Sequence, residues 1–184
     1  MLDIVTRAPS TQGPKAHALE ARIREALAAK PDGVLEAIAR DVGVSTLSVL
    51  EATPAEERRM IAADRFDDVW REISDWGDIV FIVQTADVIL ECRGSLPAGS
   101  HGYGYFNLSH SSPIHGHIKI DNCRGIYLVD RRFHGRRSCS VQFFNKAGEP
   151  MFKIFVARNS SRDLLPEQVA RFESLWNRSA SDAR

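Results

Sequence analysis

From Leu19 to Trp76 apolar residues recur every three or four positions, and from residue 79 onward they alternate or gather in short runs. The first spacing is that of amphipathic helices, the second that of strands. Leu19, Ile23 and Leu27 share one helical face before Pro31-Asp32-Gly33 breaks the run. Val34, Leu35, Ile38 and Val42 predict a second short helix ending at Gly43. Ser45 predicts the N-cap of a third, which carries Leu47, Val49 and Leu50. Thr53-Pro54-Ala55-Glu56 reads as a capping box with proline at the first helical position. Phe66, Val69, Trp70, Ile73 and Trp76 then form the strongest amphipathic stripe in the chain, closed by Gly77.

The strand-like runs fall at about 79–84, 87–93, 103–109, 114–121, 124–131, 138–144 and 150–157. Turn chemistry such as Leu96-Pro97-Ala98-Gly99 and Asn145-Lys146-Ala147-Gly148 separates them. Links this short join antiparallel neighbours, because parallel strands need long crossovers. A last helix opens at Pro166-Glu167, with Val169, Phe172, Leu175 and Trp176 on one face. Helices, then a meander of about seven or more strands in one large antiparallel sheet, then a helix, predict an α+β fold. The expected organisation is a flexible leader over 1–14, a single domain over 15–178 and a flexible tail over 179–184. Within the domain, 15–63 is helical and 64–178 holds the sheet and its helices.

Several strands are apolar on both sides, as at Val80 and Ile82, Tyr127 and Val129, and Phe152, Ile154 and Val156. One face can pack on helices; the other must meet a ligand, a partner subunit, or both.

With 184 residues, 43% of them hydrophobic and 26% charged, the chain is long and apolar enough for one folded domain and not for global disorder. The 24 basic and 24 acidic side chains cancel, which argues against a dedicated nucleic-acid binder. Leu35 to Leu50 has the outline of a helix-turn-helix, with Gly43 at the turn and Ser45 opening the second helix. That second helix, 45–52, has no Lys or Arg, and phosphate contacts dominate DNA affinity, so a structural helix pair is expected. Cys92, Cys123 and Cys139 are odd in number and form no Cys-x-x-Cys, so neither a disulfide framework nor a Cys-rich zinc module is expected. The start of the chain has no signal-peptide pattern, and the longest apolar run stops at Gln84, far short of a membrane span. A protein of the cytoplasm is expected.

Five of the six histidines lie between residues 101 and 134, and the densest stretch is His115-Gly116-His117. On a strand, residues two apart share a face. His115, His117, Lys119 and Asp121 therefore point one way, and Ile114, Gly116, Ile118 and Ile120 the other. The isoleucine face is ordinary core. The polar face is open to two readings, an exposed surface strand or a binding site with imidazole and ammonium groups. No further metal ligands stand at zinc spacing beyond His110, and no catalytic triad or nucleophile elbow is visible. Arg131-Arg132-Phe133-His134-Gly135-Arg136-Arg137 has the look of a hairpin tip, either a solvated turn or an anion site for carboxylate or phosphate. Gly102 to Phe106 interleaves glycine with aromatics, as at a tight bend or where a flat ligand approaches the backbone.

Taken together, several stretches resemble the HutX/ChuX family of intracellular heme-utilisation carriers. They are Asp64-Arg65-Phe66-Asp67-Asp68-Val69-Trp70, Thr85-Ala86-Asp87-Val88-Ile89-Leu90-Glu91, Gly104-Tyr105-Phe106-Asn107-Leu108, Gly116-His117-Ile118-Lys119, Phe143-Phe144-Asn145-Lys146 and Met151-Phe152-Lys153-Ile154-Phe155. The resemblance runs from about residue 31 to 176 and implies a homodimer whose two sheets mimic the halves of HemS/ChuS-type proteins. It implies heme as bound cargo, taken up in the cytoplasm and handed to a downstream acceptor; the sequence offers no obvious electron-donor site, which favours a carrier over an enzyme. The histidine of the family's Gly-His-Ile-Lys segment falls on His117, the expected iron ligand. A second histidine that some members carry falls on Gln84, a poor axial ligand that can still hydrogen-bond. His115 is a further candidate at the iron, and Lys119, Arg131 and Arg132 are candidates for the propionates. Cys123 is better placed as a small core residue than as a soft ligand. The alternative to a carrier is a heme-degrading enzyme that frees the iron; a DNA-binding regulator is the weaker third reading.

Overall fold

The computed structural model describes residues 14–181. The leader expected over 1–14 lies outside the described residues except for Pro14, and so do residues 182–184 of the expected tail. Three helices come first among the described residues: α1 (Pro14–Ala29), α2 (Leu35–Val42) and α3 (Thr46–Glu51). Strand β1 (Arg58–Ala62) and helix α4 (Phe66–Ser74) follow. Then come β2 (Asp78–Gln84), β3 (Ile89–Ser95), β4 (Gly99–Gly102), β5 (Tyr105–Leu108) and β6 (Gly116–Ile118). Two long strands, β7 (Cys123–Phe133) and β8 (Arg136–Asn145), precede β9 (Pro150–Phe155) and helix α5 (Pro166–Ser181). The fold is α+β, as expected.

The strands divide between two antiparallel sheets, where the sequence pattern suggests one. Six strands run in the order β1-β7-β8-β9-β2-β3, and three in the order β4-β5-β6. Strand β1 was expected to be helix. The Thr53-Pro54 signal opens only a short 3-10 turn, Ala55–Glu57, and Arg58 to Ala62 then pairs with β7. Only Ile61 of that strand is buried, so local alternation could not announce it. The run expected over 103–109 opens instead with a two-residue hairpin turn. Tyr103 and Gly104 both have positive φ, 54° and 77°, the combination a right-twisted hairpin requires. The turn creates β4, whose Gly99 lets Phe106 pack against bare backbone; a Cβ there would lie 2.2 Å from the ring.

One face of the large sheet packs on α4, α5 and the small sheet. Phe66, Trp70, Phe106, Phe143 and Phe152 meet there as an aromatic lattice, with Phe143 and Phe152 ring centroids 4.4 Å apart. Trp70 donates from Nε1 to the Pro97 carbonyl at 2.9 Å, so its one polar atom is satisfied in the core. Helices α1 to α3 cover part of the other face through Ile38, Leu47, Val49 and Leu50, packed with Tyr127, Val129 and Phe144. Helix α3 is thus core, with Thr46 donating to Glu149 at 2.7 Å, and the helix-turn-helix outline is a structural pair. Both faces find partners, but over β9, β2 and β3 each remains open enough to form a cavity.

The Pro31-Asp32-Gly33 break is clamped to the β7–β8 hairpin. Buried Arg131 donates to the Pro31 and Gly33 carbonyls at 2.7 and 2.8 Å. The Gly135 amide donates to the Asp32 carboxylate at 2.7 Å. Arg132 donates to Gly135 within the turn, and Arg137 engages Asp130 and Glu173. The basic hairpin tip spends these three arginines on the protein itself.

Candidate functional site

Strand β6 and the residues flanking it show the expected alternation. Ile114 and Ile118 are buried, while His115, His117, Lys119 and Asp121 are exposed. The isoleucines anchor the strand on the core under α4, which leaves the imidazoles on the outer side. Pairing with β5 sets Asn107 directly opposite His117. The Asn107 Oδ1 lies 2.6 Å from His117 Nδ1. The Asn107 amide nitrogen donates to the carbonyls of Gly102, Ser100 and Tyr105 at 3.0, 3.2 and 3.4 Å. The Tyr105 ring stands edge-on to His117, centroids 6.0 Å apart, and Lys119 Nζ sits 5.0 Å from the centre of the same ring. That cation–π contact holds the ammonium beside the imidazole.

His117 and Lys119 edge a cavity of about 490 Å³ between the two sheets. Phe81, Val83, Leu90, Met151 and Phe152 of the large sheet give it apolar walls, joined by Leu108 and Ile118 of the small one. His115, His117 and Lys119 are its polar members, with Glu91 and half-buried Cys92. His110 packs against His115, rings 5.0 Å apart. The arrangement offers imidazole nitrogens and an ammonium group at the rim of an apolar slot. Among the described residues no group of three or more His, Cys, Asp or Glu side chains is set to hold a metal ion by itself.

The other sequence candidates go elsewhere. Gln84 lies in β2 with Val80 and Ile82, and the strand's alternation turns those three away from Phe81 and Val83. Gln84 and Arg131 both line a cavity of about 310 Å³ on the opposite face, beside the start of α2. Neither Arg131 nor Arg132 lines the His117 cavity. Cys123 is buried and donates weakly to the Gly125 carbonyl; burial pushes its thiol up. Tyr105 was noted from sequence only within the Gly102–Phe106 stretch, where a bend or a flat ligand was expected, and Asn107 and Cys92 were not singled out as members of a site; Tyr105 and Asn107 both lie on β5. Strand register brings Asn107 and Tyr105 to His117, and register is a long-range property.

A family model described as haem utilisation ChuX/HutX matches residues 59–175. The intracellular heme transport protein HutX of Vibrio cholerae serotype O1 is 31% identical over 158 residues, 85% of this chain and 82% of HutX. The solved structure of the heme binding protein ChuX is 42% identical, covers 88% of this chain and 99% of its own, and superposes with a TM-score of 0.77. Holo-PhuS, a heme-binding protein from Pseudomonas aeruginosa, shares the fold alone: 19% identity and a TM-score of 0.67 over 92% of this chain and 49% of PhuS. One copy of this fold thus corresponds to half of that longer protein. With residues 59–175 matched by the family model and 82% of HutX aligned with this chain, the chain belongs to the ChuX/HutX haem utilisation family.

Proposed function

We propose that the chain is a heme carrier of the cytoplasm, which takes heme as cargo at His117 and hands it to a downstream acceptor. Heme is a broad apolar plate whose iron needs an axial base and whose edge carries two carboxylates. The observation that carries the reading is the pairing of His117 and Lys119 at the rim of the apolar cavity between the sheets. His117 supplies the base, Phe81, Val83, Leu90 and Phe152 the apolar walls, and Lys119 a cation for a propionate. His115 stands at the same rim as a second imidazole. We place the propionate contact on Lys119 rather than on Arg131 or Arg132, which are committed to backbone carbonyls.

The names borne by HutX and ChuX, a transport protein and a binding protein, favour a carrier over an enzyme. No helix among the described residues is long and apolar enough to cross a membrane. A homodimer is part of the proposal. Strand β3 is an edge strand with Ile89 61% and Leu90 62% exposed, and Val88 just before it is 57% exposed. An apolar free edge favours pairing with another copy, and Leu90 also lines the His117 cavity, so the partner would help close it.

Loading the protein with hemin and mixing it with apomyoglobin tests the carrier role. The expected result is transfer of the intact chromophore, followed in the Soret band, with no bleaching when ascorbate is added in air. Loss of the Soret band with formation of an open tetrapyrrole would make the protein a heme-degrading enzyme instead.

A further inference from the structure

The contacts of Asn107 do more than tie two strands together. A side-chain amide has one acceptor and one donor end, and hydrogen-bond partners decide which way it points. Three backbone carbonyls, of Gly102, Ser100 and Tyr105, surround the nitrogen of Asn107. Carbonyls only accept, so the NH₂ group must face them and Oδ1 must face His117. An amide oxygen also only accepts, so the 2.6 Å contact requires a proton on His117 Nδ1. A neutral imidazole carries one N–H, which leaves Nε2 with the free lone pair. Metal-bound histidines are commonly held this way, with the remote N–H given to a fixed acceptor.

We infer that Asn107 is the positioning residue of this site, fixing His117 in the Nδ1–H tautomer so that Nε2 is the atom offered to iron. The inference rests on the heme reading for its iron, but the tautomer belongs to the protein alone. The hairpin turn at Tyr103-Gly104 is part of the device, because it brings the Gly102 and Tyr105 carbonyls to one point, and the β5–β6 register places the amide opposite the imidazole. The acceptor is a neutral amide rather than a carboxylate. It orients the ring without the added negative charge that would strengthen the ligand, which suits cargo that must leave.

The test uses the heme-free full chain with ¹⁵N-labelled histidine, at about pH 8, above the ordinary imidazole range. Long-range ¹H–¹⁵N spectra of the wild type are expected to show His117 protonated at Nδ1 and bare at Nε2. Asn107→Asp keeps an acceptor oxygen but loses the amide donors; Asn107→Leu loses both. The Asp variant is expected to retain the tautomer and hemin binding. The Leu variant is expected to show mixed tautomers and a hemin affinity lower by about 10–100-fold, the usual cost of losing such a partner. Wild-type His117 protonated at Nε2 would overturn the inference. So would equal tautomer loss in both variants, which would make Asn107 a strand tie only. If the tautomers behave as expected but hemin does not bind, the heme reading fails and the positioning of His117 stands.

Discussion

At the scale of single residues, environment sorts the three cysteines. Burial pushes Cys139 up to about 12 and also raises Cys123, so neither forms thiolate readily near neutral pH. Cys92 is half-buried on the wall of the His117 cavity. Iodoacetamide at neutral pH should therefore label Cys92 first, and hemin should protect it; mass spectrometry of the labelled peptide reads both, and labelling unaffected by saturating hemin would place the heme elsewhere. Glu57 gives a pH prediction. Burial raises its pKa above 4.5, with Arg131 opposing that rise less strongly. A carboxylate whose folded pKa is raised binds its proton more tightly in the native state, so its contribution favours folding at low pH and is lost as pH rises through the folded value. Glu57→Gln should flatten the urea-measured stability profile just above pH 4.5 and leave the variant no less stable at pH 7. A steeper profile in the variant would contradict the assignment.

At the scale of elements, the parts legible in the sequence are those written locally. The alternation from Ile114 to Asp121 placed His117 on an outer face because strand period is a property of neighbours along the chain. The Phe66 to Trp76 stripe, the Gly43 turn and the Ser45 cap were legible for the same reason, and Ser45 does accept the Ser48 amide at 3.3 Å. Strand β1 was hidden, since its reason to exist is the edge of β7 rather than its own pattern. The partnership of Asn107 with His117 was equally invisible, being set by which strands pair and in what register. The division into two sheets depends on Gly99 and the Tyr103-Gly104 turn. Gly99→Ala should push Phe106 out of its place against α4 and cost about 1–3 kcal/mol, read by thermal denaturation. The clamp between the Pro31-Asp32-Gly33 break and the β7–β8 hairpin depends on Arg131. Arg131→Met removes two charge-assisted hydrogen bonds from a buried guanidinium to the Pro31 and Gly33 carbonyls and should cost about 2 kcal/mol or more, without displacing His117. Unchanged stability would show that water replaces the guanidinium there.

At the scale of the whole molecule, one sheet serves two purposes. Its first face is sealed by α4 and α5 and opens at the far strands into the His117 cavity, while its second face seats the N-terminal helices. The apolar edge at β3 joins the cavity to a surface suited to a second copy. Leu90→Lys should yield monomer in light-scattering chromatography where the wild type gives dimer, and should weaken hemin binding as well, because Leu90 belongs to both. The central claim is that His117 holds the iron of a carried heme. It is tested most directly by titrating untagged wild type and His117→Ala with hemin and following the Soret difference spectrum. The prediction is saturable binding by the wild type, and in the variant a shifted band with affinity reduced by about tenfold or more. Identical spectra and affinity for the two proteins would contradict it.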